Sequence, residues 1–95
     1  MTNQELLALR EEIDKVDDML LDILKQRFNL TQKVGELKAK FKLPIRDIKR
    51  EEEKLFSIMQ KWTLTSPDNQ FIRKFFSFVM KEVRKNHKKI RKMLK

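Results

Sequence analysis

The sequence predicts an all-α fold of three helices per chain, and three observations carry that prediction. The 95 residues contain one Gly and two Pro, too few turn-formers for a sheet-rich fold. Apolar residues recur in alternating steps of three and four, the period of one helix face. The apolar fraction is 40%, with seven Phe, more than a disordered chain carries.

The first helix is predicted over about 3–41. Its apolar series is Leu6, Leu9, Ile13, Val16, Leu20, Ile23, Leu30, Val34, Leu37 and Phe41, with no Pro and an isolated Gly35. The position missing from the series is 27, which holds Arg27. Pro44 biases Leu43 away from helix and separates the first element from the second. The second helix is predicted over about 46–62, with a stripe of Ile48, Leu55, Ile58 and Trp62 interrupted by Glu51. Thr63, Leu64 and Thr65 read as a connector. Ser66-Pro67-Asp68 then reads as an N-cap, a first-turn Pro and a first-turn acid. The third helix, about 67–93, carries Ile72, Phe76, Val79, Val83, Ile90 and Leu94, with His87 in the same stripe. No internal repeat or low-complexity linker is evident, so residues 1–95 read as a single domain.

Length adds a constraint on assembly. A helix of some 39 residues is about 58 Å long at 1.5 Å per residue. A compact globule of this size is roughly 30 Å across. The stripe continues to both ends of the helix, so its far half needs cover, and the expected solution is an intertwined homodimer of crossed long helices.

Composition excludes several classes. With no Cys there is no disulfide framework and no zinc ribbon, and one His builds no His-rich metal site. A single Gly excludes a phosphate-cradling glycine loop. No stretch approaches the length of a membrane span and the N-terminus lacks a basic leader, so the expected location is the cytoplasm. The net charge of +9 is concentrated at the end of the chain. Residues 81–95 hold Lys81, Arg84, Lys85, Lys88, Lys89, Arg91, Lys92 and Lys95 against one acid, Glu82. This reads first as a solvated helix end, where cations suit the helix dipole. The sharper reading is an anion-binding patch, but no aromatic platform or nucleic-acid motif accompanies it.

Each helix places an ionisable residue where Leu or Ile would fit: Arg27, Glu51 and His87. Buried charge is costly unless paired, so these residues either satisfy one another or line a polar cavity. The neighbours favour a cavity for an anion. Lys38 follows Arg27 by eleven residues and returns to within about 20° of its direction, so Arg27, Thr31, Val34 and Lys38 share a face. Arg10 lies about 100° away and serves the same kind of pocket only from another chain. Asp47, Arg50 and Glu51 form one patch at a helix start. Such a set suits a small dicarboxylate with a hydroxyl group. No nucleophile–base pair is present, so any chemistry rests on positioning and electrostatics.

At these residues the sequence resembles the AroQ-class (all-α, type II) chorismate mutases. The matching segments are Leu9-Arg10-Glu11-Glu12-Ile13-Asp14, Leu24-Lys25-Gln26-Arg27, Val34-Gly35-Glu36-Leu37-Lys38 and Pro44-Ile45-Arg46-Asp47-Ile48-Lys49-Arg50-Glu51. The resemblance covers essentially the whole chain. It implies an intertwined helical dimer and the Claisen rearrangement of chorismate to prephenate in aromatic amino acid biosynthesis, without cofactor or metal. Carried over by position, Arg10 crosses from the other protomer to a carboxylate and Arg27 clamps a carboxylate in its own chain. Lys38 contacts a carboxylate and the ether oxygen, and Glu51 accepts from the ring hydroxyl. Asp47 and Arg50 support that corner, and Val34 forms an apolar wall.

The third helix departs from the family pattern, which has a substrate-contacting Ser and, one turn later, a Gln that donates to the ether oxygen. Here the positions hold Val83 and His87. Val83 forms no hydrogen bond, so one carboxylate contact is lost, whereas His87 still donates from a ring nitrogen. If His87 takes that role, turnover declines as the imidazole loses its proton. The departure also admits relatives that act as isochorismate pyruvate lyase or aminodeoxychorismate mutase. Outside this class stand a basic helical nucleic-acid-binding module built on residues 81–95 and a coiled-coil adaptor. The first leaves Arg27, Lys38 and Glu51 in the seams unexplained; the second predicts that Arg27→Leu is neutral or stabilising.

Overall fold

The computed structural model describes residues 3–64 and 70–94. Among them the element order is α1 (Asn3–Lys40), α2 (Ile48–Thr63) and α3 (Gln70–Met93), with no strand. Among the described residues, no helix is long and apolar enough to cross a membrane. The chain divides into two compact units, Met1–Thr31 and Gln32–Lys95, and α1 runs through both.

The first unit is helical throughout its described part. Its apolar stripe lies open in the single chain: Leu9, Ile13, Val16, Leu20 and Ile23 are each about half exposed.

The second unit holds the end of α1 together with α2 and α3. Gly35, Ile72, Val79, Met80, His87 and Ile90 are buried. Met80 belongs to this buried set although it lies beside the predicted stripe; it sits one position past Val79 and seven before His87, which widens the buried face to two lanes. Leu94, predicted within the stripe, is exposed instead. The far end of α2 joins the start of α3 through aromatic rings: Trp62 and Phe71 lie 6.2 Å apart, and Phe71 and Phe75 also 6.2 Å.

Helix α1 ends at Lys40, one residue before the predicted end, and by a different device. Lys42 adopts φ of 54°. The Leu43 N–H donates to the Lys38 carbonyl at 2.8 Å and the Lys42 N–H to that of Ala39 at 3.3 Å. This pair of bonds is a Schellman motif with Lys in the left-handed position that Gly usually fills, and Pro44 follows where the chain can no longer continue as helix. Helix α2 starts at Ile48, two residues later than predicted, because Asp47 is its N-cap: the Arg50 N–H donates to Asp47 Oδ1 at 3.0 Å. It runs through Thr63, a residue expected in the connector, and Leu64 caps it. The predicted Ser66-Pro67-Asp68 start of the third helix lies outside the described residues, and the helix is described from Gln70.

Candidate active site

In the second unit, Lys38 sits half-buried in the last turn of α1. It is fixed at both ends: its carbonyl accepts from Leu43, and its Nζ donates to the Ile45 carbonyl at 3.0 Å. The loop is tied further by Arg91 of α3, whose Nη2 donates to the Leu43 carbonyl. An ammonium has three donors, so the bond to Ile45 orients Lys38 and leaves donor capacity for an anion.

Glu51 lies in the first turn of α2, where the helix dipole favours a carboxylate. Arg84 Nη1 donates to Glu51 Oε1 at 2.6 Å, with both side chains about one-fifth exposed. Arg46 Nε approaches the same oxygen at 3.6 Å. The carboxylate that sequence pattern placed in the α2 seam is thus neutralised from α3. Sequence reading counted Arg84 only among the basic residues of the chain end. Its signal was its register: it stands four residues after Met80 and three before His87, on the buried side of α3.

His87 is buried, at 4% exposure. It packs on Gly35 of α1, where a Cβ would lie 2.5 Å from His87 Cδ2 and 2.8 Å from Ile90 Cδ1. Gly35 is therefore required by close approach of a side chain rather than by backbone conformation. One residue before His87, Asn86 Nδ2 donates to Gln32 Oε1 at 2.8 Å. Val83 is half-buried on α3, and Val34 is 44% exposed. Asp47 is engaged as the α2 cap, while the Arg50 side chain is exposed.

In the first unit, Arg10 is exposed and Arg27 half-buried. Burial pushes the Arg27 guanidinium below its ordinary value, because desolvation disfavours the charged form. Thr31, predicted on the face of Arg27, donates its hydroxyl to the Phe28 carbonyl at 3.1 Å. Among the described residues no group of His, Cys, Asp and Glu is arranged to hold a metal ion.

Val34, Lys38, Asp47, Arg50, Glu51, Val83 and His87 all lie in the unit of residues 32–95, where Glu51 pairs with Arg84 and His87 packs on Gly35. Arg10 and Arg27 stand on the other unit. Individually, Lys38 offers an oriented ammonium, Glu51 a paired carboxylate and His87 a buried imidazole.

Comparison with known proteins gives a consistent answer. The family model described as chorismate mutase type II matches residues 9–88, a span that runs past both Arg10 and His87. The "T-protein" of Enterobacter agglomerans is 49% identical over 53 residues, 56% of this chain and 14% of that protein. A "Bifunctional chorismate mutase/prephenate dehydratase" of Aquifex aeolicus (strain VF5) is 44% identical over 50 residues, 53% of this chain and 14% of its own length. The protein of the same description from Escherichia coli (strain K12) is 34% identical over 83 residues, covering 86% of this chain and 22% of the relative. The chain thus spans less than a quarter of the length of these relatives.

Proposed function

The chain belongs to the chorismate mutase type II family, and from that premise we propose that it catalyses the rearrangement of chorismate to prephenate in the biosynthesis of phenylalanine and tyrosine. The observation that carries this reading is the family match over residues 9–88. The oriented ammonium of Lys38 and the fixed carboxylate of Glu51 supply chemistry that suits it.

The reaction is unimolecular and needs no nucleophile. As the ether bond breaks, its oxygen gains negative charge while the enolpyruvyl arm folds over the ring. Lys38 donates to that oxygen and to a carboxylate, and the bond to Ile45 fixes its direction before substrate arrives. Glu51 accepts from the ring hydroxyl. His87 donates a second hydrogen bond to the ether oxygen, and Arg27 clamps a carboxylate. Donors already in place at the developing charge act in the transition state more than in the ground state, which is what accelerates a step.

The working unit in this reading is a homodimer of the 95-residue domain, in which Arg10 serves the pocket of the partner protomer. The half-exposed stripe of Leu9, Ile13, Val16, Leu20 and Ile23 supports it, since so continuous an apolar face on a soluble helix calls for a covering partner.

The test is direct. Purified protein is mixed with chorismate, the loss of ultraviolet absorbance is followed, and the product is identified by NMR. Prephenate is expected, with turnover reduced about 10³-fold in Lys38→Ala by loss of a transition-state donor. Failure of the protein to consume chorismate overturns the reading.

A further inference from the structure

Glu51 is paired with a cation that family resemblance did not supply. Arg84 Nη1 donates to Glu51 Oε1 at 2.6 Å, and the two side chains are 21% and 20% exposed. A charge-assisted bond between half-buried groups is stronger and less screened than a surface pair. Arg46 reaches the same oxygen at 3.6 Å from a side chain 56% exposed, so it adds little. Both cations meet Oε1, and a carboxylate has lone pairs on two oxygens. Val83, the neighbour of Arg84 on α3, offers neither donor nor charge.

On the reading of this site as a chorismate pocket, we propose that Arg84 sets its substrate specificity, by neutralising Glu51 so that the pocket accepts a neutral ring hydroxyl and rejects a substrate with an ammonium at that ring position. A hydroxyl needs only an acceptor lone pair, which a paired carboxylate still provides. An ammonium is drawn by net charge, and a guanidinium on the same carboxylate cancels most of that attraction at short range. Selectivity is a difference of two affinities, and Arg84 is the repulsive element against the cationic competitor. It acts through Glu51 and touches no reacting atom, so it is a positioning residue.

The experiment compares kcat/KM for chorismate and for its amino analogue, in which an ammonium replaces the ring hydroxyl, in the wild type, Arg84→Met and Arg84→Lys. Circular dichroism verifies the helices. The wild type is expected to prefer chorismate, and Arg84→Met to shift the ratio about 10-fold toward the amino analogue, chiefly through KM. Arg84→Lys, which keeps the charge, is expected to hold the wild-type ratio within about 3-fold. Should Arg84→Met fail to fold, Arg84→Gln keeps a donor without the charge and reads the same ratio. A purely structural role lowers both substrates alike, so a ratio unmoved in the folded variant overturns the assignment of Arg84 alone. A wild type inert toward both substrates overturns the proposed function, and the specificity role falls with it.

Discussion

Between Leu7 and Ile23 the large apolar side chains of α1 are 48–65% exposed, whereas Ile72, Val79, Met80 and Ile90 of α3 are only 4–8% exposed. Both stretches show clear helical periodicity. In the second unit that periodicity is answered within the chain, by Gly35, the aromatic rings of Trp62, Phe71 and Phe75, and the pairing of Arg84 with Glu51. In the first it is not answered by the chain itself. An apolar stripe tells which face of a helix must be covered; it does not tell what covers it. A helix whose apolar face is covered within the chain and one whose face is left exposed look alike in one dimension.

The largest expected effect that probes this contrast is on Arg27, the charged residue interrupting the stripe of the first unit. Its guanidinium is destabilised by burial. Arginine stays charged at any working pH, so that cost does not vary across the ordinary pH range. Arg27→Leu is expected to keep the helices and raise Tm slightly, while kcat/KM for chorismate falls by about 10³ or more for want of a carboxylate clamp. A Leu variant that retains turnover makes Arg27 a register device of a coiled coil and sets the first unit outside the chemistry.

Next in size is assembly. The wild type is expected to elute and scatter light at twice the 11.6 kDa mass of the chain, with a Tm that rises with concentration. Placing Glu at both Val16 and Leu20 adds charge to the exposed stripe and is expected to abolish the dimer. A wild type that stays at the single-chain mass with its helices intact ends the homodimer reading.

The smallest effect is confined to the second unit. A methyl group at Gly35 meets His87 and Ile90 well inside van der Waals contact, so Gly35→Ala is expected to destabilise by about 1–3 kcal/mol, the cost of overpacking a filled core. Thermal unfolding measures it. No change in Tm shows that α1 and α3 yield easily at this point, and the contrast between the two regions is then less sharp than the exposures suggest.

Much of the candidate site was legible in one dimension. Arg27, Glu51 and His87 stood out because ionisable groups interrupted apolar series, and the spacing from Arg27 to Lys38 followed from helix geometry. Asp47 and Arg50 were legible as a helix-start patch, although Asp47 serves visibly as the cap that delays α2 to Ile48. Arg84 was legible only by its register between Met80 and His87, which places it on the buried side of α3 but does not identify a partner; the pairing with a residue 33 positions earlier does that. Gly35 gave no more than an isolated glycine, since its reason lies on another helix. The end of α1 was placed within one residue, but the expectation rested on Pro44, whereas the closing bonds come from Lys42 and Leu43.

The sequence by itself determined the helices, their apolar faces and the charges set within them, because backbone period, capping and proline sterics act over a few residues. The tertiary structure alone decided that Lys38 is aimed by the Ile45 carbonyl, that His87 lies on Gly35, and that Glu51 is neutralised by Arg84. The first depends on the path of the loop after α1, the other two on which residues meet across different helices, and neither is encoded in local periodicity.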